Sequence, residues 1–128
     1  TLVFTGSRWH VRSWCEKNKD FRDFVLSRFR GMQALIDFKT EFTVAQDSAW
    51  NTRVEIELGP DPRLSAAQQE IIINDYQMQN GKRSMTVRAA LVSYMLQLLR
   101  IDKPMVNEDP VAQQIVLINR KALQPWLY

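Results

Sequence analysis

The first residues that could do chemistry lie at positions 8–15, where every second side chain is cationic or aromatic. Alternate side chains of a β-strand point to the same face. On a strand here, one face would carry Arg8, His10, Arg12 and Trp14. A guanidinium group binds the oxygens of a phosphate through paired hydrogen bonds. The stretch therefore predicts an anion-binding strand face, on which Trp14 is placed to stack on a ring while Trp9, on the other face, fills a core.

A second run, residues 21–29, repeats the pattern after a polar loop at 16–20. A short helix is an alternative, but the phase of the arginines favours a strand. The cations that would be in phase there are Arg22, Arg28 and Arg30. Two neighbouring strands would then present a single arginine-rich face. The competing interpretation is a solvated face whose arginines pair with Glu16, Asp20 and Asp23.

Catalysis and metal binding find no support in the sequence. His10 is the single histidine and Cys15 the single cysteine, and an unbroken strand points them to opposite faces. Nucleophilic catalysis requires the nucleophile and its base to lie within hydrogen-bonding distance. One cysteine supplies neither an internal disulfide nor a thiolate metal site. We expect no enzyme, no metal and no cofactor.

Composition predicts one good core, or two small ones that share a boundary, in a chain of 128 residues. Residues 1–40 carry a net charge of +4, and the remainder carries −1. An acidic partner would therefore meet the first third of the chain. No apolar run reaches the roughly 20 residues that span a bilayer, so we expect a cytoplasmic protein without membrane contact.

The elements that would position the basic face are short strands in residues 1–38, including a run at 34–38. They suit a small barrel but are too few to close one, so we expect further strands upstream. Residues 39–51 have little pattern and are expected to form a linker.

Residues 52–128 predict the order β-α-β-α-β. The strand at 53–58 would bury Val54, Ile56 and Leu58, and Ser65 with Gln68 would form a capping box. Asn80-Gly81 predicts a turn before a strand at 83–87, and a last strand lies at 114–119. The expected buried residues of the two helices, 65–76 and 88–101, are Leu64, Ile71, Ile72, Tyr76, Leu91, Val92, Met95, Leu98 and Leu99.

These segments resemble the C-terminal half of a WYL domain followed by the WYL C-terminal extension, as in bacterial regulators of the phage-defence kind. Trp9-His10-Val11 stands where the family has Trp-Tyr-Leu, so His10 departs from the signature. The other stretches that carry the resemblance are residues 21–30, Trp50, 59–65, Gln68-Gln69, 75–78, 87–91 and 114–120.

The resemblance implies an α+β fold: a partial SH3-like β-barrel, then a small two-layer α/β sandwich. It also implies a homodimeric transcription factor that senses a nucleotide or nucleic-acid fragment, with DNA bound by an N-terminal winged helix absent from this chain. His10, Arg12, Arg22 and Arg28 fall where the family's basic pocket lies.

The sequence thus predicts the ligand-sensing and dimerisation region of such a regulator, in which ligand binding changes how the subunits pack. Two alternatives stay open. One is a purely structural dimerisation module, and the other is direct binding of single-stranded nucleic acid with a steep salt dependence.

Overall fold

The computed structural model describes residues 1–36, 39–104 and 108–127. It divides into two compact units, Thr1–Asn51 and Thr52–Tyr128. Each unit has its own antiparallel sheet of three strands. Among the described residues, no helix has the length and apolar character needed to cross a bilayer.

The first unit is built on an open sheet in the order β1-β2-β3, with no closed barrel among the described residues. Its strands are β1 (Leu2–Phe4), β2 (Trp9–Cys15) and β3 (Asp20–Val25). A turn at Gly6, with φ of 94°, joins β1 to β2. A four-residue turn joins Cys15 to Asp20, its partner in the β2–β3 ladder.

The predicted strand at 21–29 is correct only as far as Val25. A 3₁₀ turn, Leu26–Arg28, follows it, so the alternation of faces stops there. Further along, residues 34–36 have no regular secondary structure, and positions 37 and 38 of the predicted run lie outside the described residues.

The segment predicted as a linker has local structure of its own. A 3₁₀ turn, Val44–Gln46, is closed by a capping box between Thr43 and Gln46, and helix α1 (Ser48–Asn51) follows. The domain limits taken from the sequence stay a prediction.

The second unit follows the order expected for its main elements, β4-α2-β5-α3-β6, with two short helices added. The bounds are β4 (Arg53–Pro60), α2 (Ala66–Asp75), β5 (Arg83–Arg88), α3 (Val92–Leu98), α4 (Pro110–Gln113), β6 (Ile115–Leu117) and α5 (Arg120–Leu123). Both β5 and β6 pair with β4 in antiparallel fashion. The predicted turn at Asn80-Gly81 is present, with φ of 54° and 75° at the two residues, which suits a type I′ turn.

Hydrophobic side chains of α2, α3 and the short helix α5 pack against β4 in one core. Ile56 and Leu58 of β4 are 0% and 1% exposed, as the alternation predicts. They pack in one cluster with Ile72, Leu96 and Leu123 from the helices.

The predicted phase of the helices is wrong at two positions. Ile71 and Leu98 are both 59% exposed, whereas Leu96, not singled out by the sequence, is fully buried. Within α3 the buried side chains are Val92, Ser93 and Leu96. The face of the helix that meets the core is therefore the one that carries Val92 and Leu96, and Leu98, the last residue of α3, lies outside it.

Candidate functional site

The predicted cationic face of β2 exists but points inward. Directly opposed residues of an antiparallel pair lie on the same face. The ladder pairs His10 with Val25, Arg12 with Asp23 and Trp14 with Phe21. His10 is 2% exposed and Arg12 is 8% exposed. We call this side of the sheet the inner face.

Arg22 lies on the other side, which corrects the expectation of a single arginine face. Its ladder partner is Ser13, whereas Arg12 is opposite Asp23. The four-residue turn between β2 and β3 sets this register, and a shift of one residue would move every side chain to the other face. Arg22 is exposed to solvent.

The remaining predicted cations lie outside the strands. Arg8 precedes β2, Arg28 ends the 3₁₀ turn, and Arg30 follows it; all three are exposed. Arg30 Nη1 donates to the carbonyl oxygens of Ser27 at 2.9 Å and Phe29 at 3.0 Å.

Arg12 is held by two carboxylates. Its Nε donates to Asp47 Oδ2 at 2.7 Å and its Nη2 to Asp47 Oδ1 at 2.9 Å, which makes the contact bidentate. Its Nη1 donates to Asp23 Oδ1 at 3.3 Å. Burial by itself would lower the pKa of Arg12, but the hydrogen bonds and charges of Asp47 and Asp23 raise that pKa above its ordinary value. The competing interpretation, in which the arginines pair with acids, therefore holds for Arg12 and Asp23.

Asp47 also fixes the start of helix α1. Its Oδ1 accepts a hydrogen bond from Trp50 N at 3.2 Å, and its carbonyl oxygen accepts one from Asn51 N at 3.0 Å. This buried carboxylate, 2% exposed, is the main residue that the sequence interpretation missed. The only signal for it was an aspartate immediately before a short helix.

Trp14 stacks on a ring of its own chain. The centroids of Trp14 and Phe42 are 3.8 Å apart with an interplanar angle of 6°, and Phe21 meets Trp14 edge-on at 5.3 Å. Trp14 Nε1 is buried and has no hydrogen-bond partner in the described part of the chain. The segment 42–47 thus covers both Trp14 and Arg12.

His10 and Cys15 are placed as the strand alternation predicts, on opposite faces of β2. His10 Nε2 lies 3.1 Å from Thr5 Oγ1. The backbone N–H of Asn18 lowers the pKa of Cys15, and the Asn18 side chain donates to the sulfur at 3.2 Å. Within the described ranges, no group of three or more histidine, cysteine, aspartate or glutamate residues is arranged to hold a metal ion.

The outer face of the first sheet exposes large apolar side chains. Leu2, Phe4 and Trp9 are 57%, 55% and 50% exposed. The rings of Phe4 and Trp9 are 5.2 Å apart. Trp9 is therefore a surface residue here, not the core residue expected from the sequence.

The second unit contains a cleft of about 310 Å³ beside β6. Its wall includes Asp61, only 1% exposed, whose carboxylate accepts from Arg63 Nη2 at 2.7 Å and Nε at 3.0 Å. This hydrogen bonding lowers the pKa of Asp61. Arg120 binds the carbonyl oxygens of Asp102 and Ile101, so both arginines of the cleft have structural partners.

Each of the two units matches a different family model. Residues 1–34 match the model of the WYL domain, and residues 53–123 match that of the BrxR transcriptional regulator, C-terminal dimerization domain. The chain belongs to this family of regulators, with the dimerization domain as its second unit.

Curated relatives align with almost the whole chain. A DNA-binding transcriptional repressor CapW from Pseudomonas aeruginosa is 37% identical over 123 residues, which is 96% of this chain and 40% of the relative. Proteins of the same name from Stenotrophomonas maltophilia and Escherichia coli are 30% identical over 126 residues and 38% identical over 120 residues, covering 98% and 94% of this chain. The chain spans 42% and 40% of those two relatives.

Proposed function

We propose that this chain is the ligand-sensing and dimerisation region of a DNA-binding transcriptional repressor that acts in the cytoplasm. The observation that carries the proposal is the match of residues 53–123 to the dimerization domain of a regulator family. DNA binding and repression enter the proposal because the relatives are named DNA-binding transcriptional repressors. DNA contact would belong to a part of the regulator outside these 128 residues.

The dimer contact that we propose is an apolar patch on the second unit. Ile71 and Val111, 59% and 54% exposed, line one shallow hollow of about 100 Å³ together with Leu64 and Ile72. Large apolar side chains grouped at a surface are typical of a protein contact. A second copy of the chain would cover this patch.

Sedimentation velocity of three proteins tests the patch. We expect a wild-type dimer and a monomeric Ile71→Glu/Val111→Glu variant, because two charges cannot be buried unpaired in the contact. The control is Leu98→Glu, which places one such charge at a leucine as exposed as Ile71 but outside the hollow. A dimeric double variant, or a monomeric control, would contradict the assignment.

The ligand that we propose is an anion with an aromatic ring, such as a nucleotide or a nucleic-acid end. Arg12 and Trp14 would contact it on the inner face, beside His10. The exposed Arg8, Arg28 and Arg30 would add to the field that attracts it. This assignment keeps the residues selected from the sequence but gives Arg22 no direct contact.

Direct binding of single-stranded nucleic acid is the second candidate function. The observation that favours it is the outer face, where the exposed Trp9 and Phe4 share a side of the sheet with Arg22. Bases stack on such aromatic side chains, and arginine would bind the phosphates.

Anisotropy titrations with a fluorescein-labelled, 5′-phosphorylated thymidine trinucleotide separate the two. The sensor proposal predicts that Trp14→Leu abolishes saturable binding and that Arg22→Glu leaves it unchanged. The outer-face candidate predicts that Arg22→Glu and Trp9→Leu abolish binding and that Trp14→Leu does not. If no protein binds at either low or high salt, the chain is a dimerisation module alone.

A further inference from the structure

One short segment of the chain makes two different contacts with the inner face of β2. Phe42 lies flat on Trp14, with the ring centroids 3.8 Å apart and an angle of 6° between the planes. Asp47 binds Arg12 through two hydrogen bonds, of 2.7 and 2.9 Å. Residues 42–47 therefore present a planar ring and an anion, five positions apart, to a tryptophan and an arginine.

These two contacts are the ones by which proteins hold nucleotides. A base stacks on an aromatic ring, and an arginine fork takes two oxygens of a phosphate. Arg12 and Trp14 are two residues apart on one strand, about 7 Å. That spacing is comparable to the distance between a base and its own phosphate.

Trp14 supplies a further, independent feature of a binding site. Its Nε1 is buried and is without a hydrogen-bond acceptor in residues 1–36, 39–104 and 108–127. A buried donor that is not satisfied costs free energy. Phe42, stacked flat on the indole, offers no acceptor in the plane of the ring, where the N–H points, whereas the sugar and phosphate oxygens of a nucleotide extend beyond the stacked base and are acceptors.

We propose that residues 42–47 are an internal substitute for the ligand, with Phe42 in the place of a base and Asp47 in the place of its phosphate. This inference rests on the proposed sensor function and adds a mechanism to it. A nucleotide can bind to the inner face only if it displaces the side chains of Phe42 and Asp47.

Displacement would be transmitted along the chain to the second unit. Asp47 binds the backbone N–H of Trp50 through its carboxylate, and α1 ends at Asn51. The second unit starts at the next residue, Thr52. A ligand phosphate that replaces Asp47 as the partner of Arg12 therefore loosens the segment that connects the first unit to the second.

The test measures the affinity of the 128-residue chain for the 5′-phosphorylated thymidine trinucleotide. Phe42→Ala/Asp47→Asn removes both competing groups, and we expect it to bind about tenfold more tightly than the wild type. The matched control, Phe29→Ala/Asp20→Asn, deletes one exposed ring and one exposed charge elsewhere in the same unit and should keep the wild-type affinity.

A milder variant guards against loss of folding in the double mutant. Phe42→Leu keeps an apolar side chain over Trp14 and leaves the Arg12–Asp47 pair intact, but it removes the stacking. We expect about threefold tighter binding, which corresponds to the loss of one aromatic pair.

The outcomes separate the inference from the proposed function. Tighter binding by the two Phe42 variants, with wild-type affinity in the control, supports the proposal that residues 42–47 take the place of the ligand. Saturable binding that is equal in the wild type and the Phe42 variants overturns it and leaves the sensor proposal standing. Absence of binding in all proteins overturns both.

Discussion

At the scale of single residues, the ion pair between Arg12 and Asp47 has the largest expected effect on stability. Both side chains are nearly inaccessible to water, since 8% of the side-chain surface of Arg12 and 3% of that of Asp47 are exposed. When one partner of a buried pair is removed, the other charge stays in a medium of low dielectric constant, at a cost of about 3–5 kcal/mol. Asp23 also forms an ion pair with Arg12, so the charge would keep one partner and the cost would be at the lower end of this range.

We therefore predict that Asp47→Ala lowers the free energy of unfolding of the first unit by about 3 kcal/mol. Urea denaturation followed by tryptophan fluorescence measures it. Glu41→Ala, an exposed acid of the same segment, is the control and should change the value by less than about 0.5 kcal/mol. Equal effects of the two substitutions would mean that the pair contributes nothing specific.

Asp61 gives a prediction about pH. Its hydrogen bonds to Arg63 lower its pKa in the folded state below the ordinary value of 3.8. The stabilisation is complete above that value and is lost as the pH falls through the lower pKa of the folded state.

Asp61→Asn should accordingly be less stable than the wild type at neutral pH, and the difference should shrink in acid. Thermal melts between pH 7 and pH 2 measure it, with Glu70→Gln as an exposed control. A difference between wild type and Asp61→Asn that stays constant over the whole range would contradict the role of this carboxylate.

The residues of the site show how far a sequence predicts a contact. Alternation along β2 placed His10, Arg12 and Trp14 on one face, and a strand neighbour, Asp23, was among the expected acids. Asp47 follows Arg12 by 35 positions. No local pattern links residues so far apart, so the partner and the burial that it brings were not predicted.

At the scale of elements, the local signals used in the prediction were confirmed, whereas the register between β2 and β3 was not predicted. The capping box of α2 and the turn at Asn80-Gly81 depend on neighbouring residues, and both are present. The side of the sheet on which Arg22 lies depends on the length of the turn before β3. Helix α4 was missed although Asp109 and Pro110 are a typical cap and first residue.

The cap of α2 leads to a prediction about stability. Ser65 Oγ accepts from Gln68 N at 3.2 Å, and Ser65 N donates to Gln68 Oε1 at 2.9 Å. Ser65→Ala should lower the free energy of unfolding by about 1 kcal/mol, since an unpaired N–H remains at the helix start. Ser84→Ala, on an exposed position of β5, is the control for the same denaturation experiment. Indistinguishable midpoints would show that the cap is not stabilising.

At the scale of the whole molecule, the chain combines a strand unit that carries the proposed anion site with an α/β unit that matches a dimerization domain. The order of the main elements in the second unit followed from hydrophobic periodicity together with local cap and turn signals. The partial SH3-like barrel stays a prediction, since the described strands of the first unit form an open sheet.

The central claim is that ligand binding by the first unit and dimerisation by the second are coupled. Coupling of two equilibria is reciprocal, so a ligand that changes the dimer must itself bind dimer and monomer with different affinities. Typical coupling changes an affinity by about 5–150-fold.

The most direct measurement is a titration of the labelled trinucleotide into the wild-type dimer and into Ile71→Glu/Val111→Glu. The substituted residues lie in the second unit, outside the proposed ligand site. We predict affinities that differ by at least about fivefold between the two proteins. Saturable binding of equal affinity to both, with sedimentation confirming one dimer and one monomer, would contradict the account.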